Sequence, residues 1–260
     1  TPSDESKSLS NLVLSFKQVD RLLVHTINDL NRLKILGLNV NVSLFPHGFL
    51  EFDPLPKGIF SSIICMFKKN IFNIASYGFC LPNKGYRELI LACHTLIKKG
   101  FNIKLTIYAA IYSDEYSWVY DQLIDLIDEL DVSNSISINN EYMKDSQTLK
   151  ILSKYDCLVF PYQETSESSS ASVRHGIACN KNIFVTPSPI FDNVSVLVNY
   201  LPGFTPKEIA YGLEKWFTNT SKSLDNCNEL VLKRESLLAE RSFSKLSHRL
   251  ISMIKSIELN

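Results

Sequence analysis

Residues 71–109 read IFNIASYGFCLPNKGYRELILACHTLIKKGFNIKLTIYA, and this stretch predicts a strand, a helix and a second strand. The apolar run Ile71–Tyr77 is typical of a buried strand, and Pro82–Gly85 has the residue types of a turn. Apolar residues then recur at helical spacing until Gly100, a residue type that often ends helices. Ile103–Ala109 is the second apolar strand. Nearly continuous apolar strands separated by a helix indicate a parallel sheet that is covered on both faces.

The same alternation extends over most of the chain. Further strands are predicted at Ser135–Ile138, Cys157–Pro161 and Asn182–Val185, and further helices at Asp114–Leu130, Asp145–Lys154, Glu167–Cys179, Pro206–Phe217 and Phe243–Ile257. Upstream, the pattern predicts strands at Leu22–Thr26 and Val40–Phe45 with a helix at about 28–36. The predicted fold class is therefore α/β, a Rossmann-like parallel sheet with helices on both faces. In such sheets the ligand lies beyond the carboxyl ends of the strands.

Composition excludes several classes of protein. The chain has 260 residues, of which 45% are hydrophobic and 21% charged, and this is too apolar for a disordered protein. Its 27 basic and 27 acidic side chains cancel, which argues against a nucleic-acid-binding protein. No apolar run reaches the ~18 residues that a membrane-spanning helix needs, so none is expected. The polar start at Thr1 does not resemble a secretory signal, and we expect a processed chain or an excised fragment.

The spacing of the cysteines and histidines indicates neither a disulfide framework nor a zinc site. The six cysteines include no Cys-x-x-Cys pair, and several, such as Cys93 and Cys157, lie in apolar segments. We expect buried thiols in a cytoplasmic protein, with a disulfide framework or a metal site as the alternative. The five histidines are equally dispersed, so the sequence indicates no zinc site.

A polar loop follows the apolar strand that ends at Pro161, and residues 160–176 read FPYQETSESSSASVRHG. Ser168 or Ser169 is a suitable N-cap for the next helix, and the free amides of its first turn would form an anion site. Glu167 and Arg174 are seven positions apart, close to two helical turns, so a carboxylate and a guanidinium would bracket the ligand. The alternative is a capped helix with an intrahelical ion pair and no ligand.

Lys84 is a second candidate for an anion site, because it lies in the turn after the strand Ile71–Tyr77. A lysine at this place reaches a phosphate as a point charge. The alternative is an exposed turn lysine without a ligand. Both candidates follow the carboxyl ends of predicted strands, where ligands bind in this class of fold.

Five strings, taken in order, resemble the donor-binding domain of GT-B glycosyltransferases of family 4. They are LVHT at Leu23–Thr26, PHG at Pro46–Gly48, YGFCLPNKG at Tyr77–Gly85, ESSSASVR at Glu167–Arg174 and VTPSPIFD at Val185–Asp192. The resemblance covers about residues 20–220. It implies two Rossmann-like domains across a cleft, of which the C-terminal one binds the nucleotide sugar and the N-terminal one binds the acceptor.

The resemblance also implies roles for individual residues. Glu167, the first glutamate of the family's E-x7-E pattern, would be the catalytic residue that contacts the donor sugar. Lys84 and the amides at the start of the following helix would bind the diphosphate. The substrate-binding residues implied in this way are Gly78, Lys84, Tyr162, Ser168, Ser169, Ser170 and Arg174. Residues near Asn139–Tyr142 follow a predicted strand, and we expect them at the base pocket.

Two positions depart from the family pattern. We take Arg174 as standing at the second acidic position, as in a subgroup that reads Glu-Ser-x-Ser with a later arginine, and a guanidinium cannot accept hydrogen bonds. Phe79 stands where the family usually has an arginine before the lysine turn, so one cation for the diphosphate is missing. Our hypothesis is that Arg174 replaces the charge of that arginine.

The spacing of the strings also predicts the domain organisation. Only about 50 residues precede the donor domain, and a Rossmann-like half is longer than that. We therefore expect residues 1–50 to be the tail of the acceptor-side domain with the start of the linker, and residues 51–220 to be the nucleotide-sugar-binding domain. Residues 221–260 would be C-terminal helices that pack back toward the N-terminal part. The rest of the N-terminal domain would be a missing partner.

The resemblance implies a hexosyltransferase-type glycosyltransferase that uses a UDP- or GDP-sugar and retains the anomeric configuration. The acceptor would be a glycan or a lipid-linked glycan in bacterial surface polysaccharide synthesis (lipopolysaccharide O-antigen or capsule). Residues Asp121–Asp131 contain no Asp-x-Asp, so no metal and no further cofactor is expected. We expect a cytoplasmic protein, with at most peripheral contact between its mildly basic last 35 residues and anionic lipid.

Two alternatives stay open on the same architecture. The first is a non-catalytic nucleotide-binding or interaction domain, because a fold does not fix a function. The second, ranked lowest, is a nucleotide-sugar epimerase, which would need a complete second domain.

Overall fold

The computed structural model describes residues 9–52, 71–165, 167–219 and 227–258 of the chain. The part before residue 53 contains a short 3₁₀ helix at Leu9–Leu12, followed by α1 (Val13–Phe16), β1 (Leu22–Val24), α2 (Ile27–Ile35) and β2 (Val42–Leu44). Strands β1 and β2 pair in parallel, and α2 connects them. Thr26 caps α2, because its hydroxyl oxygen accepts a hydrogen bond from the amide of Asp29 at 3.1 Å.

A larger parallel sheet occupies the remainder. Its strands are β3 (Phe72–Phe79), β4 (Ile103–Ala110), β5 (Ile136–Asn139), β6 (Cys157–Phe160), β7 (Asn182–Val185) and β8 (Asn199–Tyr200). The α-helices are α3 (Tyr86–Lys98), α4 (Ser117–Glu129), α5 (Asp145–Leu152), α6 (Ser172–Ala178), α7 (Pro206–Asn219), α8 (Cys227–Glu240) and α9 (Phe243–Glu258). Short 3₁₀ helices lie at Pro82–Lys84, Asp114–Tyr116 and Pro189–Leu197.

The strand order of this sheet is β5-β4-β3-β6-β7-β8, and all neighbours are parallel. The chain builds β3, β4 and β5 outward in one direction, then crosses to the other side of β3 and adds β6, β7 and β8. The predicted α/β, Rossmann-like parallel sheet is therefore confirmed. The order reverses between β3 and β6, and parallel α/β sheets bind their ligands outside the carboxyl ends of the strands at such a point.

Two hydrophobic cores lie on the two faces of the sheet, and β6 contributes to both. Cys157 and Val159 pack into the core with α3, α4 and α7, whereas Leu158 and Phe160 pack into the core with α5 and α6. Successive side chains of a strand point to opposite faces. Because helices cover both faces, every residue of β6 is buried, as the apolar run had predicted.

The main departure from the predicted elements is the helix after β6. It was expected at Glu167–Cys179, but α6 begins only at Ser172, and the serine-rich stretch before it is a loop. Most other observed elements end within two residues of their predicted bounds. Helices were expected within residues 221–260, but the bounds of α8 were not predicted. Strand β8 was not predicted, and it gives no apolar signal because its two residues, Asn199 and Tyr200, are both exposed.

The C-terminal segment contacts the stretch that follows β2. The amide of buried Phe49 donates to the carbonyl of Arg241 at 2.9 Å, and the amide of Phe243 donates to the carbonyl of Phe49 at 3.4 Å. Arg249 of α9 donates to the carbonyl of Leu44 at 3.1 Å. The division into residues 1–50, 51–220 and 221–260 stays a prediction, and the boundary at residues 220 and 221 lies outside the described residues.

Cys80, Cys93, Cys157 and Cys179 are buried, as expected, whereas Cys65 and the side chain of Cys227 lie outside what the structure describes. Within the described ranges, no helix combines the length and the apolar character needed to cross a bilayer.

The turn before α3 packs directly against the end of β6. Gly85 has a φ of +70°, and a Cβ atom there would lie 1.8 Å from the carbonyl oxygen of Pro161. Next to it, the amide of Gln163 donates to the carbonyl of Asn83 at 2.9 Å. Only glycine allows this approach, because any side chain would overlap the backbone of the loop after β6.

Replacing Gly85 with alanine should lower the free energy of unfolding by about 3 kcal/mol or more, because a backbone clash adds to the cost of a left-handed conformation. Gly100 is a matched control: its φ is +93°, and a Cβ there would meet nothing within 4 Å. Gly100→Ala should therefore cost only about 1 kcal/mol. Urea denaturation of both variants measures the difference, and equal losses would contradict the close packing at Gly85.

Candidate functional site

Lys84 and Glu167 meet at the carboxyl edge of the sheet, where the strand order reverses. Lys84 ends the 3₁₀ helix that follows β3, and Glu167 lies in the loop that follows β6. The Lys84 Nζ atom lies 3.1 Å from Oε2 and 3.3 Å from Oε1 of Glu167, although the two residues are 83 positions apart. The fold thus pairs two charged residues that the sequence had assigned to separate elements.

The ammonium group of Lys84 is held in place by buried neighbours. Its side chain is 8% exposed, against 42% for Glu167, and Nζ lies 4.1 Å from the ring centroid of Tyr162. Tyr162 is itself buried, its hydroxyl accepts a hydrogen bond from Ser170 Oγ at 3.3 Å, and its carbonyl accepts one from the hydroxyl of Thr186. Attraction between a cation and an aromatic ring strengthens when water is excluded. The cation is therefore positioned, while its carboxylate partner faces solvent.

The N-cap of α6 is not where the sequence predicted it. The residue before α6 is Ala171, and it makes no side-chain cap, so neither Ser168 nor Ser169 caps the helix. Ser170 satisfies part of the first turn instead, because its Oγ accepts a hydrogen bond from the amide of Val173 at 3.3 Å. The physical reason for the late start is that the preceding residues make other contacts.

Two of these contacts hold the loop against neighbouring segments of the chain. Glu167 pairs with Lys84, as described above, and Ser169 Oγ accepts a hydrogen bond from Asn193 Nδ2 at 2.7 Å. The amide of Glu167 also donates to Thr165 Oγ1 at 3.1 Å. Side-chain contacts therefore hold residues 167–170 of the loop in place, although these residues are not helical.

Arg174 does not lie on one helix face with Glu167, because Glu167 precedes α6. Arg174 is 4% exposed, and its Nη1 donates to the carbonyl of Ser170. Burial first, and the charge of Arg241 second, lower the pKa of Arg174 to about 10. The prediction that Glu167 and Arg174 bracket a ligand from one helix is therefore wrong.

His175 is the residue that the sequence reasoning missed. An E-x7-E pattern has seven intervening residues, so its second position falls eight residues after Glu167, at His175 and not at Arg174. His175 Nε2 lies 3.1 Å from Asp145 Oδ1, and its ring centroid is 5.1 Å from that of Tyr77 at the end of β3. Counting the pattern correctly would have identified this position.

Gly78 lies where β3 approaches the first turn of α6. A Cβ atom at Gly78 would lie 3.0 Å from Tyr86 Oη and 3.3 Å from Ser172 Oγ. The next residue, Phe79, is 41% exposed, and its ring packs edge-on against Tyr112 at a centroid distance of 5.2 Å. An exposed phenylalanine that packs against an exposed tyrosine thus occupies the position where the resemblance expects an arginine.

Glu167 and Ser168 open onto a cleft of about 610 Å³ between the large sheet and α2. Thr165, Asp192 and Asn193 line the same wall, and the opposite wall consists of residues at the start of α2 and along it, namely Thr26, Ile27, Asn28, Asp29, Asn31, Arg32 and Ile35. None of the α2 residues was predicted as part of a site, because an amphipathic pattern does not show which element a polar face opposes.

A second, smaller cavity of about 40 Å³ lies at the ends of β3, β4 and β5. Tyr77, Gly78, Phe79, Tyr108, Ala110, Glu141, Tyr142, Met143 and Ser172 line it. Of the stretch Asn139–Tyr142, where the base pocket was expected, Glu141 and Tyr142 line this cavity, and the base pocket itself stays a prediction. Across the residues that the structure describes, no group of three His, Cys, Asp or Glu side chains could hold a metal ion.

No protein-family model and no curated protein matches this sequence. Solved structures match its fold closely. A glycosyltransferase from Rickettsia africae aligns over 96% of this chain and 68% of its own, with a TM-score of 0.75 and 14% identity. HepE of Anabaena, solved with UDP and glucose, aligns over 97% of this chain and 69% of its own, with a TM-score of 0.73 and 11% identity.

Sucrose-phosphate synthase from Thermosynechococcus elongatus aligns over all of this chain and 64% of its own, with a TM-score of 0.74 and 11% identity. The chain thus spans about two thirds of each of these three neighbours. At such low identity the comparisons show the fold alone, a Rossmann-like sheet that matches those of GT-B glycosyltransferases.

Two histidines from the strings that carry the family resemblance, His25 and His47, stack on each other with ring centroids 3.8 Å apart. Burial is the main cause that lowers the pKa of His47 to about 4, and the charges of His25 and Arg174 lower it further. His47 is therefore neutral in the folded protein at pH 6, whereas in the unfolded chain its pKa lies near 6.5.

Between pH 6.5 and pH 4 the unfolded state therefore binds more protons at His47 than the folded state does, so the free energy of unfolding should fall as the pH falls through this window. His47→Gln removes that titration, and the variant should lose less stability on acidification than the wild type. Urea denaturation at pH 4, 5, 6 and 7.5 measures both slopes. Identical slopes in the two proteins would contradict a depressed pKa at His47.

Proposed function

We propose that this chain binds a nucleotide-diphosphate sugar and forms the donor side of a glycosyltransferase. One observation carries the proposal: Lys84 and Glu167, from the loops after β3 and β6, lie 3.1 Å apart at the edge where such sheets bind ligands. Their pair adjoins the cleft of about 610 Å³, and glycosyltransferases have the same fold.

The diphosphate is assigned to Lys84. Transfer of the sugar leaves negative charge on the departing nucleotide diphosphate, and fixed cations that face developing charge are a large source of rate enhancement. The ammonium of Lys84 is poorly hydrated and is held over the ring of Tyr162, so it needs little reorganisation to meet a phosphate oxygen. The backbone amides of Ser168, Ser169 and Ser170 would supply further hydrogen bonds, although they belong to a loop.

The sugar is assigned to Glu167. Its carboxylate is 42% exposed and lines the cleft, so it can accept hydrogen bonds from sugar hydroxyls. In the structure this carboxylate pairs with the ammonium of Lys84. When a diphosphate takes over that role, Glu167 becomes free to orient the sugar, so the same ion pair supports both assignments.

The nucleoside is assigned to the aromatic surface around the small cavity at the ends of β3, β4 and β5, because a cavity of about 40 Å³ is too small to enclose a base. Phe79 and Tyr142 line it and are exposed, and aromatic rings offer a stacking surface to any base. His175, paired with Asp145, occupies the second position of the E-x7-E pattern and would contact the ribose hydroxyls. Because an aromatic ring stacks on uracil and guanine alike, the choice between UDP and GDP is left to experiment.

The finer assignments rest on the family 4 resemblance. They are retention of configuration, a hexose donor, no metal ion, a glycan or lipid-linked acceptor in bacterial surface polysaccharide synthesis, and a cytoplasmic location with at most peripheral membrane contact. Because the chain spans about two thirds of its structural neighbours, the acceptor would be bound largely by a partner domain.

Calorimetric titration with UDP, GDP and UDP-glucose tests the proposal. One nucleotide should bind, and Lys84→Met should weaken its binding at least ~10-fold, because a buried charge-assisted contact is lost. Glu167→Gln should weaken the binding of UDP-glucose more than it weakens the binding of the free nucleotide. If another nucleotide binds, the same comparison applies to its sugar conjugate.

A second lysine–glutamate pair provides the matched control. Lys99 and Glu214 form an ion pair between the end of α3 and α7, away from the carboxyl edge, so Lys99→Met and Glu214→Gln should leave both affinities unchanged. Absence of nucleotide binding would contradict the donor site. Binding without sugar release, in the full protein with acceptor, would favour the non-catalytic alternative.

A further inference from the structure

Glu141 brings a single charge to the small cavity at the ends of β3, β4 and β5. Of the described residues that line this cavity, Glu141 alone carries a charge, and the others include the aromatic residues Phe79, Tyr108 and Tyr142. Glu141 is exposed, and it forms no ion pair with any residue that the structure describes. A carboxylate without a partner thus lies beside a surface of aromatic rings.

The end of β5 fixes the backbone at Glu141. The strand ends at Asn139, and Oδ1 of Asn139 accepts a hydrogen bond from the amide of Glu141 at 2.9 Å. An asparagine that binds the amide two residues further on forms a closed turn, a common device for holding a loop. Glu141 is therefore presented at a defined point of the carboxyl edge, and its exposed side chain can turn toward a ligand.

The segment that contains Glu141 has a large excess of negative charge. Between Lys104 and Lys144 the sequence contains no lysine, arginine or histidine but eight acidic residues, namely Asp114, Glu115, Asp121, Asp125, Asp128, Glu129, Asp131 and Glu141. Such a segment repels a phosphate, whereas the buried cation of Lys84 attracts one. The charges along the sheet edge therefore favour one orientation of a bound nucleotide, with its phosphates at Lys84.

The spacing of the strands agrees with this orientation. Strand β4 lies between β3, which precedes Lys84, and β5, which precedes Glu141. Neighbouring strands lie ~4.8 Å apart, so the ends of β3 and β5 are separated by ~10 Å. A ribose and the phosphates of an extended nucleotide bridge a distance of this order. A nucleotide with its diphosphate at Lys84 therefore brings the edge of its base to Glu141.

A carboxylate distinguishes bases by the hydrogen-bond donors on their edges. When ionised it only accepts hydrogen bonds, and its two oxygens can accept two parallel ones. Guanine presents two adjacent donors, its N1–H and its 2-amino group. Uracil presents one donor, its N3–H, between two carbonyl oxygens that a carboxylate repels. Stacking on an aromatic ring accepts both bases, but a carboxylate at the base edge favours guanine.

We propose that Glu141 selects a guanine nucleotide, so that the donor is a GDP-sugar. The carboxylate accepts hydrogen bonds from N1–H and the 2-amino group of guanine, while the ring of Phe79 or Tyr142 stacks on the base. This inference rests on the proposed function, because it takes the diphosphate at Lys84 as given. It adds a residue that determines specificity at the far end of the same nucleotide.

Calorimetric titration with GDP, UDP and inosine diphosphate tests the inference. Inosine diphosphate is GDP without the 2-amino group, so it lacks one of the two donors. The wild type should bind GDP at least ~10-fold more tightly than either of the other two nucleotides, because a hydrogen bond to a charged group is lost in each case.

Glu141→Gln should relax this specificity. A glutamine has one acceptor and one donor, so it can bind N1–H and O6 of guanine or N3–H and a carbonyl of uracil. The variant should therefore bind GDP and inosine diphosphate equally, and it should bind UDP more tightly than the wild type does. Glu115→Gln is the matched control, because Glu115 is exposed and does not line the cavity, and it should keep the wild-type order.

Lys84→Met separates the choice of base from the donor site itself. It should weaken the binding of all three nucleotides by the same factor and leave their order unchanged. The role of Glu141 is overturned, with the donor site intact, if the wild type prefers UDP and Lys84→Met weakens UDP binding. It is also overturned if Glu141→Gln keeps the wild-type order of affinities. If none of the three nucleotides binds, both the donor site and the role of Glu141 are overturned.

Discussion

The contact between the turn before α3 and the end of β6 is the constraint on which the site depends. Gly85 has no side chain, so its backbone lies against the Pro161 carbonyl, and Asn83 and Gln163 are bonded beside it. Lys84 stands within this contact. Its ammonium is consequently directed over Tyr162 and toward the loop after β6, where Glu167 meets it. The ammonium of Lys84 is buried because the backbones of two loops that are far apart in sequence come into contact at Gly85.

The elements that were predicted correctly are those with a strong local signal. Every residue of β6 faces one of two cores, so its sequence is apolar throughout and the strand is recognised without any knowledge of its neighbours. The loop of residues 167–171 is the opposite case. Its serines are good helix-starting residues, but contacts to Lys84 and Asn193, which are remote in sequence, hold it in another conformation. Local preference gave way to tertiary contacts there.

The location of the candidate site at the carboxyl edge of the sheet was predicted, but the pairing of Lys84 with Glu167 was not, because Glu167 was expected to face Arg174 on one helix. Successive residues of an α-helix are rotated by ~100°. An error of one position in counting the E-x7-E pattern therefore exchanged His175, which reaches Asp145 and Tyr77, for Arg174, which is enclosed near Phe49 and Arg241. The opposite wall of the cleft, with Asp29 and Arg32 of α2, gave no signal because its place depends on how the two sheets are arranged.

Phe49 has a mechanical consequence for that arrangement. Its amide and carbonyl are both bonded to the segment between α8 and α9, while Arg249 of α9 is bonded to Leu44 and lies over the ring of Phe45. The chain thus crosses itself at one buried residue, and α9 is fastened to the small sheet. A displacement of the small sheet against the large one would have to carry α9 with it or break these backbone bonds, so the contacts at Phe49 oppose a widening of the cleft.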